Sequence, residues 1–460
     1  MKNILFILTD DQRYDALGAA GNNDIITPNL DRFAASGTMF TQAHIPCGTS
    51  GAICMPSRAM LNTGRMLFSL EGQGENIPPS HTTLAEVFKN AGYDTYGTGK
   101  WHNGPPSFSR GFMGGDNIFF GGMWDHWNVP VCRYDPTGEY DNVINFTADF
   151  LHKNQNMRIR CDKFNSGVHS SELLTDTAIN YLNNRNDNTP FYLYLSYLAP
   201  HDPRTMPHRF REMYNPDDIT LPANYMESHP FPFGVEKIRD ETLASQPRNE
   251  KEVRTHLAEY YAMVTHLDFE IGRLLDHLEQ KGLMDDTVIV MTADNGLAVG
   301  SHGLMGKQNH YDHSVRVPLI FSGADIPQGL TIDNYVYLLD IFPTLCDLCG
   351  LSIPESVEGK SFAEMFDNPS FVTRDTLYFV YNELIRSVKD GRYKLIEYRN
   401  HAEQTQLFDL EQDPHELHNL ASSSGYAETV TRMKALLQEK RYEWNDTEHR
   451  LSRLFWGEYE

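Results

Sequence analysis

The chain has 460 residues, 40% of them hydrophobic and 12% aromatic, enough for one large core plus a smaller unit and too rich in core formers for a disordered protein. Its 39 basic and 62 acidic residues give a formal net charge of −23, which argues against non-specific nucleic-acid binding, since that needs a cationic surface. The same charge requires that any anionic substrate be drawn in by a local positive pocket.

The chain opens on an apolar run, Asn3-Ile-Leu-Phe-Ile-Leu-Thr9, that ends in Asp10-Asp11. It reads as a buried parallel strand with functional residues at its carboxyl end. Residues 4–8 fall far short of the ~20 apolar residues of a membrane span, and no leader is visible, so a cytoplasmic protein or a trimmed, mature form is expected. Residues 83–91 read as a helix stopped by Gly92. Residues 170–183 and 253–281 read as amphipathic helices, the second stopped by Gly282. Between them, residues 191–198 are apolar and end in Ala199-Pro200-His201-Asp202. Residues 287–292 are apolar and end in Ala293-Asp294-Asn295-Gly296. Strands alternating with helices predict an α/β doubly wound sheet, mostly parallel, and polar residues at strand ends mark its ligand crevice.

Six scattered cysteines make no disulfide framework. Cys346-Asp347-Leu348-Cys349 lies in an apolar run ended by Gly350 and reads as buried helix cysteines rather than a redox or metal pair. After about residue 365 the texture changes. Residues 385–398 read as a hairpin about Asp390-Gly391, 406–410 as a strand and 426–444 as a helix. The expected division is an α/β catalytic domain over 1–365 and a small C-terminal α+β domain with an antiparallel sheet over 366–460.

The strand-end acids carry the first chemical signal. Asp10 and Asp11 are adjacent carboxylates, costly unless a cation neutralises them, and Asp294-Asn295 offers two more oxygen ligands. Such a set suits a hard cation, calcium or magnesium; turn formation by Asp and Asn is the plainer alternative. The bases follow. Gly99-Lys100-Trp101-His102 places a cation and an imidazole two apart, on one side of an extended segment. His201 follows a strand, and Lys307 a glycine-rich loop. Gathered at a metal, such groups would bind a tetrahedral oxyanion and protonate a leaving oxygen.

Cys54-Met-Pro-Ser-Arg-Ala-Met-Leu-Asn-Thr-Gly-Arg65 closely resembles the signature of the type I sulfatases, C-x-P-S-R followed by T-G-R. Asp10-Asp11, the G-K-W-H run at 99–102, P-H at 200–201, D-N-G at 294–296, H-G-L-M-G-K at 302–307 and Asp413-Pro-His-Glu-Leu-His-Asn-Leu420 agree in order, so the resemblance spans nearly the whole chain. It implies an alkaline-phosphatase-like α/β/α sandwich. It also implies that Cys54 is oxidised to formylglycine by a formylglycine-generating or anaerobic sulfatase-maturating enzyme. Asp10, Asp11, Asp294 and Asn295 would hold Ca²⁺, in preference to Mg²⁺, together with residue 54. Arg58 would orient the aldehyde hydrate, Lys100 and Lys307 bind sulfate, His102 assist release of sulfate, and His201 protonate the leaving oxygen. The chemistry is coherent: a thiolate attacking sulfur leaves a stable adduct, whereas a hydrated aldehyde has one hydroxyl to attack and a second to expel sulfate.

The subgroup resembled acts on bacterial polysaccharides or is choline-sulfatase-like. A sulfated saccharide is the expected substrate, galactose or N-acetylgalactosamine sulfate first, and a periplasmic or secreted location is expected with the leader removed. Asn103, Asp125, His126, Asp202, Arg204, His302 and His310 are candidate sugar contacts. Trp124 and Trp127 could stack on a sugar but read better as core. Two other readings are a phosphonate monoester or phosphodiester hydrolase of the same superfamily and an inactive glycan-binding protein.

Overall fold

The computed structural model of the chain describes residues 1–149, 155–186, 188–399 and 401–457. An eight-stranded sheet forms its centre, in the order Leu330–Ile332, Gly37–Phe40, Leu319–Gly323, Thr287–Ala293, Asn3–Thr9, Phe191–Ser196, Asp94–Lys100, Gly114–Phe119. Asn3–Thr9 pairs in parallel with both Phe191–Ser196 and Thr287–Ala293. Only Leu319–Gly323 runs against its neighbours.

Alternation along the first strand divides the interior. Leu5 and Ile7 enter a core with Leu267, Ile271 and Leu274 of helix Glu250–Gln280. Ile4, Phe6 and Leu8 enter the other core, which continues without a break into Phe379, Val388 and Leu395 near the C-terminus. Burial of each such side chain stabilises the fold by about 1.5–3 kcal/mol. No helix among the described residues is long and apolar enough to cross a membrane.

The helix expected from residue 83 is Leu84–Asn90, started by a capping box in which the Thr83 side chain accepts from Glu86 N. Cys346 is buried on helix Ile341–Leu348, and Cys349 is its C-cap. The expected hairpin is strands Ile385–Lys389 and Tyr393–Tyr398. It belongs to a five-stranded sheet in the order Gln404–Asp409, Tyr393–Tyr398, Ile385–Lys389, Leu377–Tyr381, Cys47–Gly48. That last strand comes from the N-terminal part, six residues before Cys54, and pairs in parallel with Leu377–Tyr381. The small sheet is therefore not built from residues beyond 366 alone, and its core is shared with the large one.

Candidate active site

Four central strands end together at one edge of the large sheet. The pairings Thr9 with Ala293, Leu8 with Ser196 and Ser196 with Gly99 bring Asp10, Asp294, Lys100 and the 197–202 segment to the same edge. Asp10 N donates to Ala199 O at 3.1 Å and Asp294 N to Thr9 O at 3.1 Å, which extends the register past the strand ends. Gly99 allows this approach. It has φ +89°, and a Cβ there would stand 1.8 Å from Ser196 O.

Cys54 opens helix Cys54–Thr63, all ten residues of which are buried. Pro56 is in the first turn, where no intrahelical N–H bond is needed. The positive end of the helix thus begins at Cys54. Cys54 Sγ lies 3.4 Å from His102 Nδ1 and 3.6 Å from Lys100 Nζ. Burial raises the thiol pKa, against the pull of Lys100 and Lys307. An unmodified Cys54 is therefore a poor nucleophile here.

Arg58, one turn on, ties the helix to the strand ends. Its Nε donates to Asp294 Oδ2 at 2.7 Å, Nη1 to Lys100 O at 2.9 Å and to Ser196 Oγ at 2.6 Å, and Nη2 stands 3.6 Å from Asp10 Oδ2. Ser57 Oγ donates to Asp294 O at 2.6 Å. Lys100 pairs with Asp10 Oδ2, and Lys307 with Asp11 Oδ1.

The acids fit a hard cation. Ligand atoms of Asp10, Cys54 and Asp294 lie within 4.8 Å of one another, as do those of Asp10, Asp11 and His201. Asp10 Oδ1 and Asn295 Oδ1 are buried without a hydrogen-bond partner, a costly state unless a ligand meets them. Burial and the charge of Asp10 raise the Asp294 pKa. At Asp10 burial acts the same way, but Lys100, His201 and Arg58 outweigh it and hold the carboxyl below its usual range. Asn295 Nδ2 donates to Asp11 Oδ1 at 2.7 Å.

His102 reaches the site differently from the sequence expectation. The segment after Lys100 is not extended: His102 has φ +68°, and this left-handed turn, not strand alternation, brings its ring beside the thiol. Burial, then Lys100, Arg58 and Lys307, push the imidazole pKa well below its usual value, which favours the neutral ring beside the thiol. His201 turns Nδ1 to Asp202, 2.8 Å from its carbonyl and 3.2 Å from Oδ1, and Nε2 toward Asp11 Oδ2 at 3.6 Å.

The sugar-contact candidates divide. Asp202 stays at the site, between His201 and Arg239. Arg204 touches His256, and Asp11 is among the charges acting on it. Four others have structural roles. Asn103 is fully buried and donates to Met55 O at 2.9 Å and Gly74 O at 2.7 Å, bracing the Cys54 helix. Both nitrogens of His126 are engaged, by Ser170 Oγ at 2.7 Å and His201 O at 2.9 Å, so it supports the His201 backbone. His302 stacks on Tyr311 at 3.7 Å and meets Glu416 O at 3.0 Å, while His310 meets Ser387 Oγ at 2.8 Å. His310 thus joins the site loop to the C-terminal sheet, and His302 joins it to the segment that follows that sheet. Asp125 is exposed and accepts from Trp127 N at 3.0 Å, a turn contact. Trp124 packs on Phe146 and Phe164, and Trp127 on His169. Ser196, Asp240, Glu241 and Gln308 were missed. Asp240 and Glu241 sit in a charged stretch that looks like a solvated loop, and no spacing singles them out.

Comparisons with known proteins bear on the family and the fold. The Sulfatase family profile matches residues 2–351, and the profile described as N-sulphoglucosamine sulphohydrolase, C-terminal, matches residues 300–443. An arylsulfatase of Clostridium perfringens is 29% identical over 95% of this chain and 93% of its own length. An N-acetylglucosamine-6-O-sulfatase of Bacteroides thetaiotaomicron is 25% identical over 99% of this chain and 89% of its own. Among solved structures, a protein bound to its substrate D-glucosamine-2-N,6-O-disulfate superposes with a TM-score of 0.77 at 24% identity, covering 97% of this chain and 99% of the other. The phosphonate monoester hydrolase of Agrobacterium radiobacter superposes with a TM-score of 0.76 at 21% identity, covering 96% of each.

Proposed function

The chain belongs to the sulfatase family of sulfuric ester hydrolases, and we propose that it releases sulfate from a sulfated sugar, using a formylglycine made from Cys54 beside a bound calcium ion. The observation that carries the reading is the company of Cys54: a lysine at 3.6 Å, a neutral histidine at 3.4 Å and two carboxylates within ligand distance, at the start of a helix. Asp10, Asp11, Asp294, Asn295 and residue 54 would hold the cation. So many protein oxygens suit calcium, because magnesium keeps more of its waters. Once modified, residue 54 would offer one hydroxyl to attack sulfur and a second through which sulfate leaves, and a cation held there would supply positive charge for the sulfate oxygens.

The chain's own side chains do the rest. Lys100 and Lys307 are buried cations that receive the sulfate oxygens, where low dielectric makes them more effective than in water. Lys100 pairs with Asp10 and Lys307 with Asp11; at Lys307 the Asp11 carboxylate outweighs burial and raises the pKa well above the ordinary lysine value. His102, neutral, takes a proton from residue 54. His201, with Nδ1 committed to Asp202, offers Nε2 to the leaving oxygen. Arg58 fixes residue 54 and Asp294 relative to each other.

The sequence reading puts galactose or N-acetylgalactosamine sulfate first, whereas one relative is named an N-acetylglucosamine-6-O-sulfatase and one similar solved structure holds D-glucosamine-2-N,6-O-disulfate as its substrate. A regiodefined panel of hexose and hexosamine sulfates, run beside an aryl sulfate and an aryl phosphodiester, tests the reading. Sulfate release should dominate, with one sugar sulfate turned over best. A phosphodiester preference would instead support the phosphodiesterase reading.

A further inference from the structure

Lys307 stands on a loop without regular secondary structure, and its flexible four-carbon stem gives it little intrinsic order. Its ammonium pairs with Asp11. The residues either side of it are gripped by two neighbours in sequence, Asp240 and Glu241, which lie more than sixty residues away in the chain.

Glu241 is buried and its carboxylate faces the loop backbone. Oε1 accepts from Gly306 N at 2.8 Å, and Oε2 from Met305 N at 3.0 Å. Its other partner is the guanidinium of Arg248, also buried, whose Nε donates to Gly303 O at 2.9 Å. The ion pair thus brackets the turn over 303–306 from both ends. On the far side of Lys307, Asp240 Oδ2 accepts from Gln308 Nε2 at 3.0 Å. The same Nε2 donates to Gly51 O at 3.0 Å, three residues before Cys54, and Gln308 Oε1 accepts from Lys307 N at 3.0 Å. Gly306 lets the clamp close: a Cβ there would come within 2.6 Å of Gln308 Oε1 and 2.9 Å of Asp240 Cβ. Burying a carboxylate is expensive; Glu241 is compensated by Arg248 and by two backbone amides next to Lys307.

We propose that Asp240 and Glu241 are positioning residues for Lys307, setting the place of its ammonium relative to residue 54 and the sulfate. This rests on the reading of Lys307 as a sulfate ligand. The preceding residue extends the device to the other side of the site, because Arg239 pairs with Asp240 and with Asp202, which holds His201.

Calorimetric titration of inorganic sulfate into the mature, metal-loaded protein tests the clamp. Lys307→Ala should weaken sulfate binding about tenfold or more, and Glu241→Ala and Asp240→Ala should do the same, since displacement of a binding group by about 1 Å is severe. Adding Glu241→Ala to Lys307→Ala should cost nothing further, because both act through one ammonium. Asp240→Asn, which keeps an oxygen for Gln308 Nε2, should recover most of the affinity, a rescue that loss of folding would not show, whereas Glu241→Gln, whose amide nitrogen must face a backbone N–H or Arg248, should recover only part. Should Glu241→Ala fail to fold, the Asp240 pair decides. Affinities in the Ala variants equal to the parent, or losses that add fully to that of Lys307→Ala, would overturn the clamp. Unchanged sulfate affinity in Lys307→Ala itself would overturn the sulfate-ligand reading instead.

Discussion

Arg58 and Asp294 form an ion pair from which water is wholly excluded, Nε to Oδ2 at 2.7 Å, at the point where the Cys54 helix meets the end of strand Thr287–Ala293. One guanidinium serves Asp294, Lys100 O, Ser196 Oγ and the neighbourhood of Asp10. Removing one partner of a buried pair costs about 3–5 kcal/mol. Arg58→Ala should therefore lower stability in urea by about that amount and abolish turnover. Arg58→Lys should recover little, since a point ammonium cannot span four acceptors. A lysine variant as stable and active as the parent would remove Arg58 from the centre of the site.

The cation should matter to folding as well as to turnover. Asp10 Oδ1 and Asn295 Oδ1 have no partner among the described residues, and Asp10 has the carboxylates of both Asp294 and Asp11 within 4.8 Å. Binding to the folded state alone stabilises by about 2.7 kcal/mol at a hundredfold excess over Kd. Chelation should lower Tm and activity together, and calcium should restore both at lower concentration than magnesium. A Tm indifferent to chelator and to added calcium would count against the site.

Much of this was legible because strand ends announce themselves. Asp10, His201 and Asp294 each follow an apolar run, and Cys54 to Arg65 is a distinctive string. Strand Asp94–Lys100 was not legible: with Asp94, Gly97 and Gly99 it lacks the hydrophobic density of its neighbours, and its glycines serve close packing, not propensity. Asn103, His302 and His310 draw attention by nearness in sequence to site residues and His126 by the Trp-Asp-His-Trp run, but neither signal tells which contacts a side chain makes; here each also hydrogen-bonds protein atoms that brace the surrounding segments. The shared small sheet was hidden because Cys47-Gly48 is too short a strand to show any period.

That shared sheet makes the division near residue 365 a poor place to cut. A chain ended there would leave Cys47–Gly48 without Leu377–Tyr381 and would expose the core face that meets Phe379, Val388 and Leu395. It would also remove Glu416, whose Oε2 accepts from Asp312 N at 2.8 Å and whose carbonyl meets His302. The truncated chain should be insoluble or lack a cooperative melt, whether or not metal is added. A soluble, cooperatively unfolding 1–365 fragment would show instead that the two units fold separately.

His201 offers the sharpest test of the leaving-group step. With Nδ1 held by Asp202, only Nε2 can reach a substrate. A sugar alcohol is a poor leaving group and needs the proton, whereas a nitrophenolate departs almost without help. General-acid catalysis contributes about 10²–10⁴-fold. His201→Ala should therefore lower kcat/KM by about that factor on the preferred sugar sulfate and by far less on nitrophenyl sulfate. If His102 removes the proton at residue 54 as proposed, His102→Ala should slow both substrates alike. Parallel losses on the two substrates in the His201 variant would assign that residue to binding and leave the leaving-group proton to another donor.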